Sequence, residues 1–110
     1  MTSLPANPAR DDAPRDELCR AIARLETPGE ALRFLRDLCT PGEIQAMAER
    51  WEIARLLAAG GQSYRDIHAR TGASLTTITR VARFLGQEPH QGYRMMIERL
   101  SSGAREMSDE

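Results

Sequence analysis

Apolar residues recur at helical spacing through the body of the chain. Leu18, Ala21, Ile22 and Leu25 form one such set, and Ala31, Leu32, Phe34, Leu35 and Leu38 form a second after a break at Glu26 and Thr27. This spacing lays apolar side chains along one stripe of a helix, so two short amphipathic helices are predicted. A third set, Ile44, Met47, Ala48, Trp51, Ala54, Leu56 and Leu57, wraps more than one side of a helix over 41–59. A helix of that kind needs more than one packing partner. No segment alternates apolar and polar residues with strand propensity, and the β-branched run Thr76-Thr77-Ile78-Thr79 sits inside a helical pattern. The predicted class is all-α.

Helix boundaries are marked explicitly. Thr27-Pro28-Gly29-Glu30 and Thr40-Pro41-Gly42-Glu43 repeat one tetrapeptide thirteen residues apart. In each, Thr is a suitable N-cap, Pro occupies the first helical position, where its missing N–H costs nothing, and Glu can reach back to the N-cap amide. Helices are therefore expected to start near 28 and 41, the second ending at Gly60-Gly61. The interval is too short for a solenoid repeat and reflects shared capping chemistry.

The segment SYRDIHARTGASLTTITRVARFL, residues 63–85, reads as two short helices around a tight turn. Ser63 can cap the first, with Asp66 at its third position, and Ser74 can cap the second. Gly72 permits a left-handed backbone between them. Ile67, Ala73, Ile78 and Val81 stand five before and one, six and nine after Gly72. That is helix-turn-helix spacing, in which the apolar residues lock the two helices at a steep angle. Leu75, Thr76, Thr79, Arg80 and Arg83 are left on the other faces of the second helix, whose N-terminal end, at Ser74, can enter a major groove. Thr hydroxyls reach base edges, Thr methyls or Leu75 touch thymine methyls, and Arg binds phosphate or guanine. Arg65 and His68, on the first helix, are expected near the DNA backbone. Arg80 could instead pair with Glu49 or Glu52, and Arg50 reads as half of a structural ion pair.

Charge changes the picture by its placement. The formal net charge is −1 over 110 residues. Residues 63–99, however, hold six Arg against Asp66, Glu88 and Glu98, whereas residues 1–17 and 100–110 are both acidic. The local excess of arginine coincides with the predicted helix pair and fits a polyanionic partner. All fifteen cations are Arg; that suits phosphate recognition, but codon usage explains it more simply.

Size and composition set bounds. A chain of 110 residues makes one domain. Trp51, Tyr64, Tyr93, Phe34 and Phe84 are its aromatics, so the core must come mainly from Leu, Ile, Ala and Met. Trp51 and the stripe of Met95, Met96, Ile97 and Leu100 are expected in that core or between two copies, since small chains often complete a core by pairing. Residues 1–15, with three prolines, and residues 101–110 are expected to be flexible arms flanking a folded body at 16–100.

Cys19 and Cys39 stand apart, with no CxxC and no His cluster, so neither zinc nor a disulfide framework is implied, and no cofactor is expected. They are taken as buried or incidental thiols. No stretch approaches the ~18 apolar residues of a membrane span, and the expected location is the cytoplasm. No Ser/His/Asp set or glycine-rich phosphate loop is present, and His68 and His90 flank no nucleophile, so the chain is not expected to be an enzyme.

From Leu38 to Leu100 the chain resembles the Trp repressor superfamily, and especially its Trp-repressor-related YerC/YecD family. The resemblance rests on LCTPGEIQAMAERW at 38–51, the helix pair at 63–85 and GYRMMIERL at 92–100. It implies a six-helix subunit, an intertwined homodimer, and two reading heads ~34 Å apart on a palindromic double-stranded DNA operator. The family's tryptophan pocket maps onto Thr40, Arg50 and Arg80, which are retained, and onto Val81 and Phe84, which replace a Gly and a Ser of the repressor. Added bulk and a lost polar partner imply that tryptophan does not bind. Either the pocket is closed by its own side chains or it accepts a different effector. The expected function is thus a DNA-binding transcriptional regulator, a repressor acting by occupancy. The alternative is a helical interaction module that keeps the fold without binding DNA.

Overall fold

The computed structural model describes residues 8–108, with side chains described for 12–103. Six helices follow one another, α1 (Pro8–Ala23), α2 (Pro28–Leu38), α3 (Pro41–Ala59), α4 (Tyr64–Thr71), α5 (Leu75–Gly86) and α6 (Gly92–Ser108), and the described residues contain no strand. They form two compact units, divided between Pro41 and Gly42.

The first unit carries α1 and α2. Thr27 caps α2 by accepting the amide of Glu30 at 3.0 Å. The Glu30 carboxylate bonds the amide of Glu26, also at 3.0 Å. It was expected to reach the N-cap amide and instead reaches one residue further, so the cap also holds the end of the α1–α2 connection. None of the described side chains in this unit is buried; Ile22, Leu32 and Leu38 are 47%, 40% and 49% exposed.

The second unit holds the core. Ile53 and Ala54 of α3, Ile67 of α4, Ala73 of the turn, and Ile78 and Val81 of α5 form one buried cluster. Leu56, Leu57, Tyr93 and Ile97 pack around it. The four apolar residues spaced about Gly72 are therefore all inside, each at 2% exposure or less. Each buried isoleucine contributes about 1.5–3 kcal/mol of transfer free energy. Trp51 and Tyr93 add an aromatic contact between α3 and α6, with ring centroids 6.4 Å apart. The Arg94 Nε–H donates to the carbonyl of Leu85 at 3.2 Å, tying α6 to the end of α5.

The terminal helices extend beyond the expected body. Residues 8–15 begin α1, with Pro14 inside it, and α6 continues to Ser108. Residues 1–7 and 109–110 of the expected arms lie outside the described residues. Cys19 is exposed and Cys39 half-buried, so neither thiol belongs to the core.

Candidate nucleic-acid interface

Local chemistry builds the helix pair. The Ser63 hydroxyl accepts the amide of Asp66, whose carboxylate accepts the amide of Ser63, both at 3.0 Å, which completes a capping box at the start of α4. Gly72 ends α4 at φ 78° and ψ 0°, with its amide bonded to the His68 carbonyl at 2.8 Å. Ser74 then caps α5, accepting the Thr77 amide and donating to the Thr77 hydroxyl, each at 3.1 Å. No acidic residue stands in the first turn of α5, so the positive end of its helix dipole is not offset there by a side chain.

The turn between the helices is held by side chains as well as by glycine. The Thr71 hydroxyl donates to the Ile67 carbonyl at 2.7 Å and accepts the amide of Ala73 at 3.1 Å. The Nδ1 of His68 lies 2.6 Å from the Ala73 carbonyl. Thr71 escaped the sequence reading, although a hydroxyl residue next to a turn glycine is a recognisable signal. The His68 contact has no comparable signal in the sequence.

Leu75, Thr76, Thr79, Arg80 and Arg83 line one open groove on the surface of α5. All five are exposed. Arg65 and His68 are exposed on α4, while Ser74 is engaged as the helix cap. The arrangement offers hydroxyls, a methyl-bearing surface and guanidinium donors side by side, the set of groups that reads base edges and phosphates.

Arg80 pairs with neither Glu49 nor Glu52. Its guanidinium carbon lies 4.4 Å from the centroid of the Phe84 ring, and that of Arg83 lies 5.0 Å from it. His90 stacks on the same ring at 6.3 Å and 14°. Arg83 also approaches Glu88, with Nε 3.6 Å from the carboxylate. Arg50 is half-buried on α3, and the expected structural ion pair is not made among the described residues, where no carboxylate lies within ion-pair distance of it.

The five residues of the possible effector pocket are placed differently from one another. Val81 is 1% exposed and belongs to the core. Phe84 and Arg80 border a shallow cleft of about 290 Å³ together with His90, Gln91, Gly92 and Tyr93. Thr40 belongs to the first unit, immediately before α3. Among the described residues no group of acidic, His or Cys side chains is suited to a metal ion. No helix among them is long and apolar enough to cross a membrane.

An all-helical chain with a capped helix pair, a left-handed glycine turn and an exposed arginine- and threonine-rich second helix is a helix-turn-helix protein. The family model for the Trp repressor protein matches residues 14–101. The chain belongs to that family, which comprises DNA-binding regulators and not enzymes. It is 41% identical over 93 residues to YerC of Bacillus subtilis (strain 168), a protein named as uncharacterised, covering 84% of this chain and 88% of YerC. A solved TrpR-like protein from Eubacterium eligens ATCC 27750 is 40% identical, with a TM-score of 0.73 over 78% of this chain and 87% of its own. A solved Staphylococcus aureus protein, proposed to be a Trp repressor, is 35% identical, with a TM-score of 0.75 over 86% and 95%.

Proposed function

We propose that the chain is a sequence-specific transcriptional regulator, a repressor that acts by occupying its site. It binds a palindromic operator as a homodimer and does so without tryptophan. The observation that carries this reading is the groove of Leu75, Thr76, Thr79, Arg80 and Arg83, exposed on a helix whose opposite face is locked into the core by Ile78 and Val81. Phosphate contacts from arginine supply affinity, and contacts from Thr76, Thr79 and Leu75 supply selectivity. Arg65 and His68 meet the DNA backbone, and the N-terminal end of α5, at Ser74, enters the major groove.

The homodimer is supported by apolar surface that the single chain does not cover. Ile22, Leu38, Met95 and Leu100 are each between 46% and 56% exposed. A second copy would bury such surface and set two α5 helices ~34 Å apart on successive major grooves. Independence from tryptophan is supported by Val81, which is enclosed, and by Phe84, whose ring is already in contact with Arg80. A regulator of this kind works in the cytoplasm.

Selection from a random duplex library at moderate salt, followed by affinity measurements against scrambled DNA, tests the reading. Enrichment of a palindrome preferred by ~10³-fold or more supports a dimeric specific regulator. Binding that is weak and equal for every duplex, with and without tryptophan, overturns it.

A further inference from the structure

We propose that Phe84 is a positioning residue for DNA recognition, an aromatic platform that holds the guanidinium groups of Arg80 and Arg83 ready for DNA before any ligand arrives. The proposal rests on the DNA-binding reading above and deepens it. Arg80 and Arg83 line the groove of α5, and Phe84 directly follows Arg83 along the same helix. Both guanidinium carbons sit within 5.0 Å of one phenyl centroid.

The kind of contact matters. A guanidinium held by a carboxylate spends its N–H donors on that partner, whereas one stacked on a ring is held through its face and keeps its in-plane donors. Arg80 makes no ion pair among the described residues, so its whole donor edge is left for phosphate or guanine. Arg83 touches Glu88 through Nε, which leaves its terminal nitrogens. Arginine loses much rotamer freedom when it is fixed by DNA, and a side chain already restrained in the free protein loses less.

Phe84 is poorly explained as a packing residue. It is half-buried, lies outside the buried cluster, and carries arginines and a histidine on its ring where a core residue would carry aliphatic groups. His90, on the α5–α6 connection, stacks nearly parallel to the ring and restrains it in turn. The platform is thus supported from outside the recognition helix.

The experiment compares wild type with Phe84→Leu, which keeps an apolar side chain but removes the aromatic face, and with Phe84→Tyr, which keeps the face. In the free protein, ring-current shifts of the Arg80 and Arg83 Hδ protons are read by NMR. They are expected upfield in wild type and Phe84→Tyr, and near unperturbed values in Phe84→Leu. Affinity for the selected duplex is expected to fall about five- to thirtyfold in Phe84→Leu, with unchanged helix content, and to return in Phe84→Tyr. In an Arg80→Ala/Arg83→Ala background, Phe84→Leu is expected to add nothing. Phe84→Leu binding like wild type, or weakening the double variant as much as wild type, overturns the proposal. A wild-type chain that selects no duplex overturns the DNA-binding reading instead. The ring-current shifts, read without DNA, then still decide whether Phe84 holds the two arginines.

Discussion

The imidazole of His68 closes the turn of the helix pair, with Nδ1 2.6 Å from the carbonyl oxygen of Ala73. A carbonyl can only accept, so Nδ1 carries the proton and Nε2 is the other nitrogen of an exposed ring. His68 stands on α4 and Ala73 directly precedes the cap of α5, so one hydrogen bond spans the turn and ties the two helices.

The side-chain amide nitrogen of Asn occupies nearly the place of Nδ1, whereas that of Gln reaches the place of Nε2. His68→Asn is therefore expected to retain the clasp, while His68→Ala and His68→Gln lose about 0.5–1.5 kcal/mol of stability. Urea denaturation of the three variants checks the order, and equal losses in all three would show that the bond is not what matters.

Gly72 and Gly86 make a matched pair. At neither position would a side-chain methyl group meet another heavy atom within 4 Å, but Gly72 has φ +78° while Gly86 lies in the last turn of α5 without a positive φ. Gly72→Ala is expected to destabilise by about 1–2 kcal/mol through backbone strain alone. Gly86→Ala is expected to stabilise by about 0.4–1 kcal/mol by restricting the unfolded chain. Thermal unfolding should move in opposite directions for the two variants.

Ile78 is fully buried beneath the exposed face of α5. Ile78→Val is expected to cost about 0.5–1.5 kcal/mol and Ile78→Ala about 2–5 kcal/mol. The alanine variant should also lose hydrogen-exchange protection in α5, whose buried contacts come from Ile78, Val81 and Leu85 alone.

The arginines and threonines of the interface are expected to differ in kind. Arg65→Ala should weaken binding to every duplex and lower the salt slope by about 1. Thr76→Ala and Thr79→Ala should instead change preference at particular base pairs by about 1–3 kcal/mol. Salt titrations on selected and scrambled duplexes distinguish these outcomes, and uniform losses from the threonine variants would remove them from the reading surface.

Much of the helix pair was legible because its determinants are local. The Ser63–Asp66 box, the Ser74 cap, the left-handed Gly72 and the register of Ile67, Ala73, Ile78 and Val81 all depend on backbone geometry within a few residues. A capping hydroxyl three residues from its amide needs no distant partner to be predicted. Boundaries at the ends of α1 and α6 were less legible, since proline and polar composition suggested arms where the chain is helical from Pro8 and up to Ser108.

The amino-acid sequence by itself determined the helical class, the caps and which side of α5 is buried, because each follows from spacing along the chain. Tertiary structure decided what the polar and charged ends meet. It placed Arg80 on Phe84 and not beside an acid, Glu30 on the Glu26 amide, and His68 on the Ala73 carbonyl. Periodicity states which face of a helix a side chain leaves from. Several torsions beyond Cβ then determine where its end arrives, and only the packing of neighbouring elements selects among them.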